Sequence, residues 1–362
     1  MHSAIVSLLL SLSITVLLLH CAGRLRSGPP GRHGQTIPIG GLAVMVGLCG
    51  GVLAMVAKSE GPTSFWWVGL SMLLPLFMVG VLDDFWVQPS LFRRAAVSVV
   101  VALVLCAQFS NSLVWTLLAL VFVTAVTHSV DAVDTRNGAA SMCGLLIHAA
   151  LTFVAFSVGD TYVMQAALIV IGALLGVSFF SFQTGLARLG HSGCALVGFS
   201  SAGLCVCLVA RHPEVSAWFA ALLCSHSLIA AAGAAKRGGL HALDGADNRV
   251  PSLLYHGLVR WATGNPLDRR RPERDDSVMP HLWMLSVASI APALLWWEQP
   301  LALAGALAFR LLLQWAVSRL LDDPVNRILP TQAVALAKKL NDEPGVFPAS
   351  STRAASAESH TP

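Results

Sequence analysis

Asp83 and Asp84 stand side by side in MVGVLDDFWVQP, residues 78–89, where a long apolar run ends. Adjacent carboxylates repel, and at a membrane boundary each is costly unless it is solvated, paired or metal-bound. One reading is a helix end that meets water, with Arg93 and Arg94 as nearby counter-charges. The other is chemistry, since a hard cation takes carboxylate oxygens and bridges them to phosphates. The choice turns on whether other ligand-type residues fall at the same depth, and three stretches supply them. HSVDAVDTRNGAA at 128–140 sets His128, Asp131, Asp134 and Asn137 at three-residue spacing, a polar strip on one side of a helix end. QTGLARLGHSGCALVG at 183–198 leads through a Gly-rich turn carrying Arg188, His191 and Ser192 into another apolar segment. Such a turn leaves backbone N–H groups facing an anion at a helix N-terminus. RHGQTIPIGGLAVMVG at 32–47 places Arg32, His33 and the Gly40-Gly41 pair at the start of a third apolar segment.

The elements that must hold these residues follow from composition. Of 362 residues 55% are hydrophobic and 12% charged, and the mean hydropathy is +0.69. That is far from a soluble domain and marks an integral membrane protein. Apolar stretches of about 17 to 23 residues, the length that crosses a bilayer as a helix, recur along the chain. Eleven are expected, near 3–22, 39–57, 64–82, 95–110, 112–133, 139–158, 162–181, 194–210, 214–235, 280–297 and 299–321. The fold class is therefore all-α, a polytopic helical bundle over residues 1–340, since a barrel would show short alternating segments. A loop at about 236–279 interrupts it. The Pro-, Ser- and Ala-rich stretch 341–362 is expected to be a disordered tail. The first segment has no basic flank ahead of it and is read as a span. All eight cysteines fall inside or at the edge of apolar segments, which indicates small hydrophobes and neither a disulfide framework nor a zinc site.

Lys and Arg are retained on the cytoplasmic side in short loops. Connections after odd-numbered spans hold Arg24, Arg26, Arg32, Arg93, Arg94, Arg136 and Arg188, and the 236–279 loop holds eight more basic residues. Even-numbered connections hold only Lys58 and Arg211. The N-terminus is therefore expected outside and the C-terminus in the cytoplasm. This puts the acidic pair, the 128–140 stretch and the LGHSG turn on one cytoplasmic face. A formal net charge of +4 calls for no nucleic acid, and a basic inner face suits anionic lipids or phosphorylated ligands.

RHGQTIPIGGLAV, VGVLDDFWVQPSLFRR, the spacing of HSVDAVDTRNG and ARLGHSGCALVGF, in this order and on alternate connections, resemble the polyprenyl-phosphate N-acetylhexosamine-1-phosphate transferase family. The similarity covers roughly residues 24–240. It implies a membrane phosphoglycosyl transferase of cell-envelope polysaccharide synthesis in the inner (plasma) membrane. Such an enzyme moves a sugar 1-phosphate from a UDP-sugar to a polyisoprenyl phosphate, releases UMP, and uses Mg²⁺ or possibly Mn²⁺ as cofactor. The resemblance implies catalytic roles for Asp83, Asp84 and Asp134 and a metal shell of Asp84, Asp134 and His191. It places Arg32, Asp131, Asn137 and Arg188 at the substrates. The pattern is broken at several of these positions. His128 and Asp131 stand where the family has Asn, Asn137 where it has a second Asp, and His191 where it has a metal-binding Asp. The family's His-rich run in the last long loop is absent, with RVPSLLYHG at 249–257 roughly in its place.

Three readings follow. The first is a working transferase with an altered metal shell, since imidazole removes a negative charge and favours softer metals than Mg²⁺. The second is a catalytically impaired relative that still binds lipid phosphate or nucleotide sugar, or acts as a scaffold. The third is an ion-coupled transporter, against which the placement of the acids at span ends counts. The sugar, the lipid and the oligomeric state are not legible in the sequence.

Overall fold

A computed structural model describes residues 1–25, 38–58, 63–85, 91–109, 112–134, 138–184, 187–238 and 279–316. The chain is helical: α1 His2–Leu25, α2 Gly40–Val56, α3 Ser64–Phe85, α4 Leu91–Ala107, α5 Leu113–Ser129, α6 Ala139–Ser157, α7 Thr161–Thr184, α8 Gly190–Arg211, α9 Ala217–Leu223, α10 Ser225–Gly238, α11 Met279–Leu295 and α12 Pro300–Ala316. Among the described residues six segments are long and apolar enough to cross a membrane: His2–Cys21, Ser64–Phe85, Leu113–Val133, Ala139–Ser157, Thr161–Phe182 and Gly190–Arg211. The other expected spans are shorter or broken helices. The ninth divides at Cys224, where Ser225 and Ser227 donate their hydroxyls back to the carbonyls of Leu222 and Cys224. The 236–279 loop beyond Gly238 and the tail lie outside the described residues.

Without water between them, apolar helices associate through close packing and small residues. The contact of α1 with α7 shows this. Ser3, Ser7, Ser11 and Thr15 recur every four residues on α1 and are all buried. The Ser7 and Ser11 hydroxyls donate to the carbonyls of Ile169 and Ala173 on α7, at 2.9 and 2.7 Å. Between these bonds Gly172 and Gly176 admit the α1 backbone. A methyl group at Gly176 would lie 2.7 Å from Leu12 N, and one at Gly172 would collide with the Ala4 carbonyl.

The centre of the bundle is α8, with 18 of its 22 residues buried. It packs against α2, α3, α5 and α6, so its N-terminus is the point on which the candidate residues converge. At the other end of the bundle Asp160 accepts from the Tyr162 and Val163 amides and faces Arg211 and His212 at 3.3 and 3.1 Å. Trp67 faces outward, but Trp66 is only 3% exposed and packs against Tyr162 with ring centroids 6.2 Å apart.

Candidate active site

The N-terminus of α8 is built from a glycine turn and two borrowed carboxylates. Gly190 has φ +70°, the left-handed region, which lets the chain turn sharply into the helix. The first amides of a helix lack intrahelical acceptors. Asp84, from the last turn of α3, meets them: Oδ1 accepts from the His191 amide at 2.8 Å, and Oδ2 from the Ser192 amide at 3.1 Å and the Ser192 hydroxyl at 2.7 Å. Asp134, just after the 3₁₀ turn Val130–Val133, accepts from the Gly190 amide at 3.1 Å through Oδ2. The anion that the LGHSG turn was expected to attract is thus the protein's own.

Close approach makes this possible. A methyl group on Gly41 would run into Ser192 Oγ, and one on Gly80 into the Ser192 backbone. The amides of Gly40 and Gly41 donate to the carbonyls of Arg188 and Leu189, at 2.9 and 3.0 Å. These glycines therefore brace the turn.

Asp83 points elsewhere. Successive helical residues project about 100° apart, so the two neighbours reach different partners. Asp83 is buried, which corrects the solvated reading, and it pairs with Arg93 and Arg94 from the start of α4. The counter-charge part of that reading holds. Arg94 is itself buried and spans the centre: Nε lies 3.2 Å from Asp83 Oδ2, Nη1 bonds Asp131 Oδ2, and Nη1 lies 2.9 Å from His191 Nδ1. His191 Nδ1 is also 3.3 Å from Asp131 Oδ2. The two contacts ask opposite things of this nitrogen. Arginine only donates and a carboxylate only accepts, so the protonation of Nδ1 decides which of the two contacts is a hydrogen bond. His128 turns away from the carboxylates, with Nε2 2.8 Å from Ser98 Oγ.

Arg188 and Asp134 form a looser pair, Nε to Oδ2 at 3.2 Å. Arg188 Nε and Asp134 Oδ1 are buried without a hydrogen-bond partner among the described residues. Burial raises the Asp134 carboxyl to about 6, outweighing Arg188 and the Gly190 amide, which pull it down.

The structure thus gathers Asp83, Asp84, Asp131, Asp134, Arg188 and His191 at one end of the bundle. Arg32 and Asn137 lie outside the described residues. The bridging of Asp83, Asp131 and His191 by Arg94, and the capping of α8 by Asp84, were not read from the sequence. An arginine three residues into an apolar helix, ten or eleven positions after two aspartates, is the signal that pointed to the former. The metal shell of Asp84, Asp134 and His191 does not fit Mg²⁺ as arranged. Three or more His, Cys, Asp or Glu side chains nowhere converge as metal ligands among the described residues. Asp84 already accepts three hydrogen bonds from His191 and Ser192, and His191 Nδ1 lies against an arginine. The cavity beside Arg94, His128, Asp131 and His191 has a volume of about 10 Å³, room for one water. Mg²⁺ usually keeps several waters.

Outside this centre, Arg310 is buried on α12 and takes neutral partners: Ser289 Oγ at 3.2 Å, Gln314 Oε1 at 3.3 Å and His226 Nδ1 at 3.5 Å.

Residues 66–209 match the model of the family described as glycosyl transferase family 4. Over 215 residues the chain is 26% identical to the "Probable undecaprenyl-phosphate N-acetylglucosaminyl 1-phosphate transferase" of Bacillus subtilis (strain 168), a match covering 54% of this chain and 59% of that relative.

Proposed function

From the match of residues 66–209 to the model of glycosyl transferase family 4, we propose that this chain transfers a sugar 1-phosphate, that of an N-acetylhexosamine, from a UDP-sugar to a polyisoprenyl phosphate, with release of UMP. The observation that carries the reading is the place of the match. It spans α3 to α8, the helices that supply every charged group of the centre described above. The relative's name, a transferase acting on undecaprenyl phosphate, supports the same lipid class. We place the reaction at the cytoplasmic face of an eleven-span bundle in the inner (plasma) membrane, on the charge asymmetry of the loops.

The chain's residues divide the work as follows. Arg188 has a side chain 30% exposed and offers a guanidinium to phosphate oxygens. Asp134, with one oxygen unpartnered and a carboxyl near 6, takes the proton of the lipid phosphate as its oxygen attacks the β-phosphorus. The bond from that phosphorus to the UMP oxygen breaks as the new one forms. Asp83, Asp84 and Asp131 hold α3, the 3₁₀ turn and α8 in register around this pair. No step is assigned to Mg²⁺ or Mn²⁺, because the described donors do not fit one.

The internal pairing of Asp83, Asp84 and Asp131 also favours a second reading, a catalytically silent relative that binds lipid phosphate or nucleotide sugar. One experiment separates the two. Purified protein is incubated with undecaprenyl phosphate and a panel of UDP-N-acetylhexosamines, and UMP is followed. Release above a no-lipid control, lost in Asp134→Asn, supports the transferase. Absence of UMP with every sugar and metal overturns it.

A further inference from the structure

Among the described residues four aspartates and three arginines meet at the α8 N-terminus, so the formal charge of these groups is nearly closed without any added ion. The arrangement is specific. Among the described residues Arg94 is the side chain that reaches α3, the 3₁₀ turn and α8 together, through Asp83, Asp131 and His191. A divalent ion bridging carboxylates from separate elements does the same mechanical and electrostatic work. The position from which the resembled pattern donates a metal-binding carboxylate holds His191, and its Nδ1 is turned to the guanidinium. The adjoining cavity of about 10 Å³ has no room for a hydrated cation.

We infer that Arg94 is the resident cation of this centre and takes the place of a divalent metal, so that phosphate ligands are met by guanidinium groups alone. Arg93 and Arg188, with side chains 41% and 30% exposed, present that charge toward solvent while Arg94 stays buried. The loss of one carboxylate at His191 and the burial of Arg94 are then two halves of one change. An arginine is always charged and cannot be stripped by a chelator. The inference builds on the proposed transferase reading for the identity of the ligands, but the claim about the cation stands on geometry.

The test is Mn²⁺ binding by the purified full chain in detergent, followed by loss of the electron paramagnetic resonance signal of free Mn²⁺. The wild type is expected to bind less than about a tenth of an equivalent at 0.1 mM Mn²⁺, and Arg94→Lys, which keeps the charge, should behave the same. Arg94→Met combined with His191→Asp removes the buried guanidinium from Asp83 and Asp131, leaving Asp83 its Arg93 partner, and adds an oxygen donor, so it should gain about one equivalent. One equivalent bound by the wild type and lost in Asp131→Asn overturns the inference. If the double variant does not fold, the wild-type measurement still decides. Should UMP release be detected, the rate in 5 mM EDTA is expected within about twofold of that in Mg²⁺, and a drop of tenfold or more refutes the inference. Should no UMP appear, the transferase reading fails while the Mn²⁺ result stands independently.

Discussion

Replacing Asp84 by alanine is expected to loosen the fold before it says anything about chemistry. The carboxylate accepts three hydrogen bonds, two from the opening amides of α8 and one from the Ser192 hydroxyl. Without it both amides lose their acceptor at a buried helix end, at about 1–3 kcal/mol each. Loss of a negative charge beside the helix N-terminus adds about 0.3–1 kcal/mol. The hydroxyl can find another acceptor, so the total is on the order of 3–5 kcal/mol for Asp84→Ala. Asp84→Asn keeps one carbonyl oxygen and should cost about 1–2 kcal/mol, in the range of ordinary cap replacements. Unfolding of the detergent-solubilised chain, monitored by tryptophan fluorescence against denaturant, should rank wild type above Asp84→Asn above Asp84→Ala. A midpoint for Asp84→Ala equal to that of the wild type would show that the carboxylate does not hold α8, and the capping argument would fall.

Gly41→Ala and Gly80→Ala should each destabilise by about 1–3 kcal/mol through overpacking at Ser192. Adding Ser192→Ala should partly rescue the first, whose clash is with the hydroxyl, and not the second, whose clash is with backbone; equal rescue would contradict the packing. Asp134, raised to about 6 from an unfolded value near 4, holds a proton in the folded chain that the unfolded chain has released. Its contribution to stability is full below about pH 4 and is lost as pH rises to about 6, a fall of up to about 3 kcal/mol. Melting curves between pH 4 and 7 should show this slope for the wild type and a flatter one for Asp134→Asn. The charge asymmetry predicts that a C-terminal fluorescent fusion glows and a C-terminal alkaline phosphatase fusion is inactive; the reverse would invert the membrane orientation.

Most of the architecture was legible because apolar length is a coarse, robust signal. Helices fall on the expected segments, and the acidic pair, the 128–134 stretch and the LGHSG turn meet at one end as their alternation along the chain predicted. Partner choice was not legible. Asp83 and Asp84 are adjacent in sequence, but whether each faces an arginine or a helix end depends on the azimuth of α3, which is set by Gly80 packing on α8. The stripe Ser3, Ser7, Ser11 and Thr15 was visible at four-residue spacing, yet its meaning needed the glycine face of α7 opposite it. The Gly-rich turn was correctly read as seeking an anion. That the anion comes from α3 and the 3₁₀ turn is tertiary information.

Because Asp84 and Asp134 fasten α8 to its neighbours, they serve two masters. A chain with no transferase activity would still lose its central helix if it lost either one. Their retention therefore carries no information about whether a given chain turns over substrate. The positions free to drift are those that touch ligand without bearing the bundle, and among the charged groups described here Arg188 fits that description best. Its side chain is 30% exposed and contributes an ion pair with Asp134, where the aspartates each hold helix amides. Across related chains, the residue at that position should be the better record of lost or altered activity than the paired aspartates.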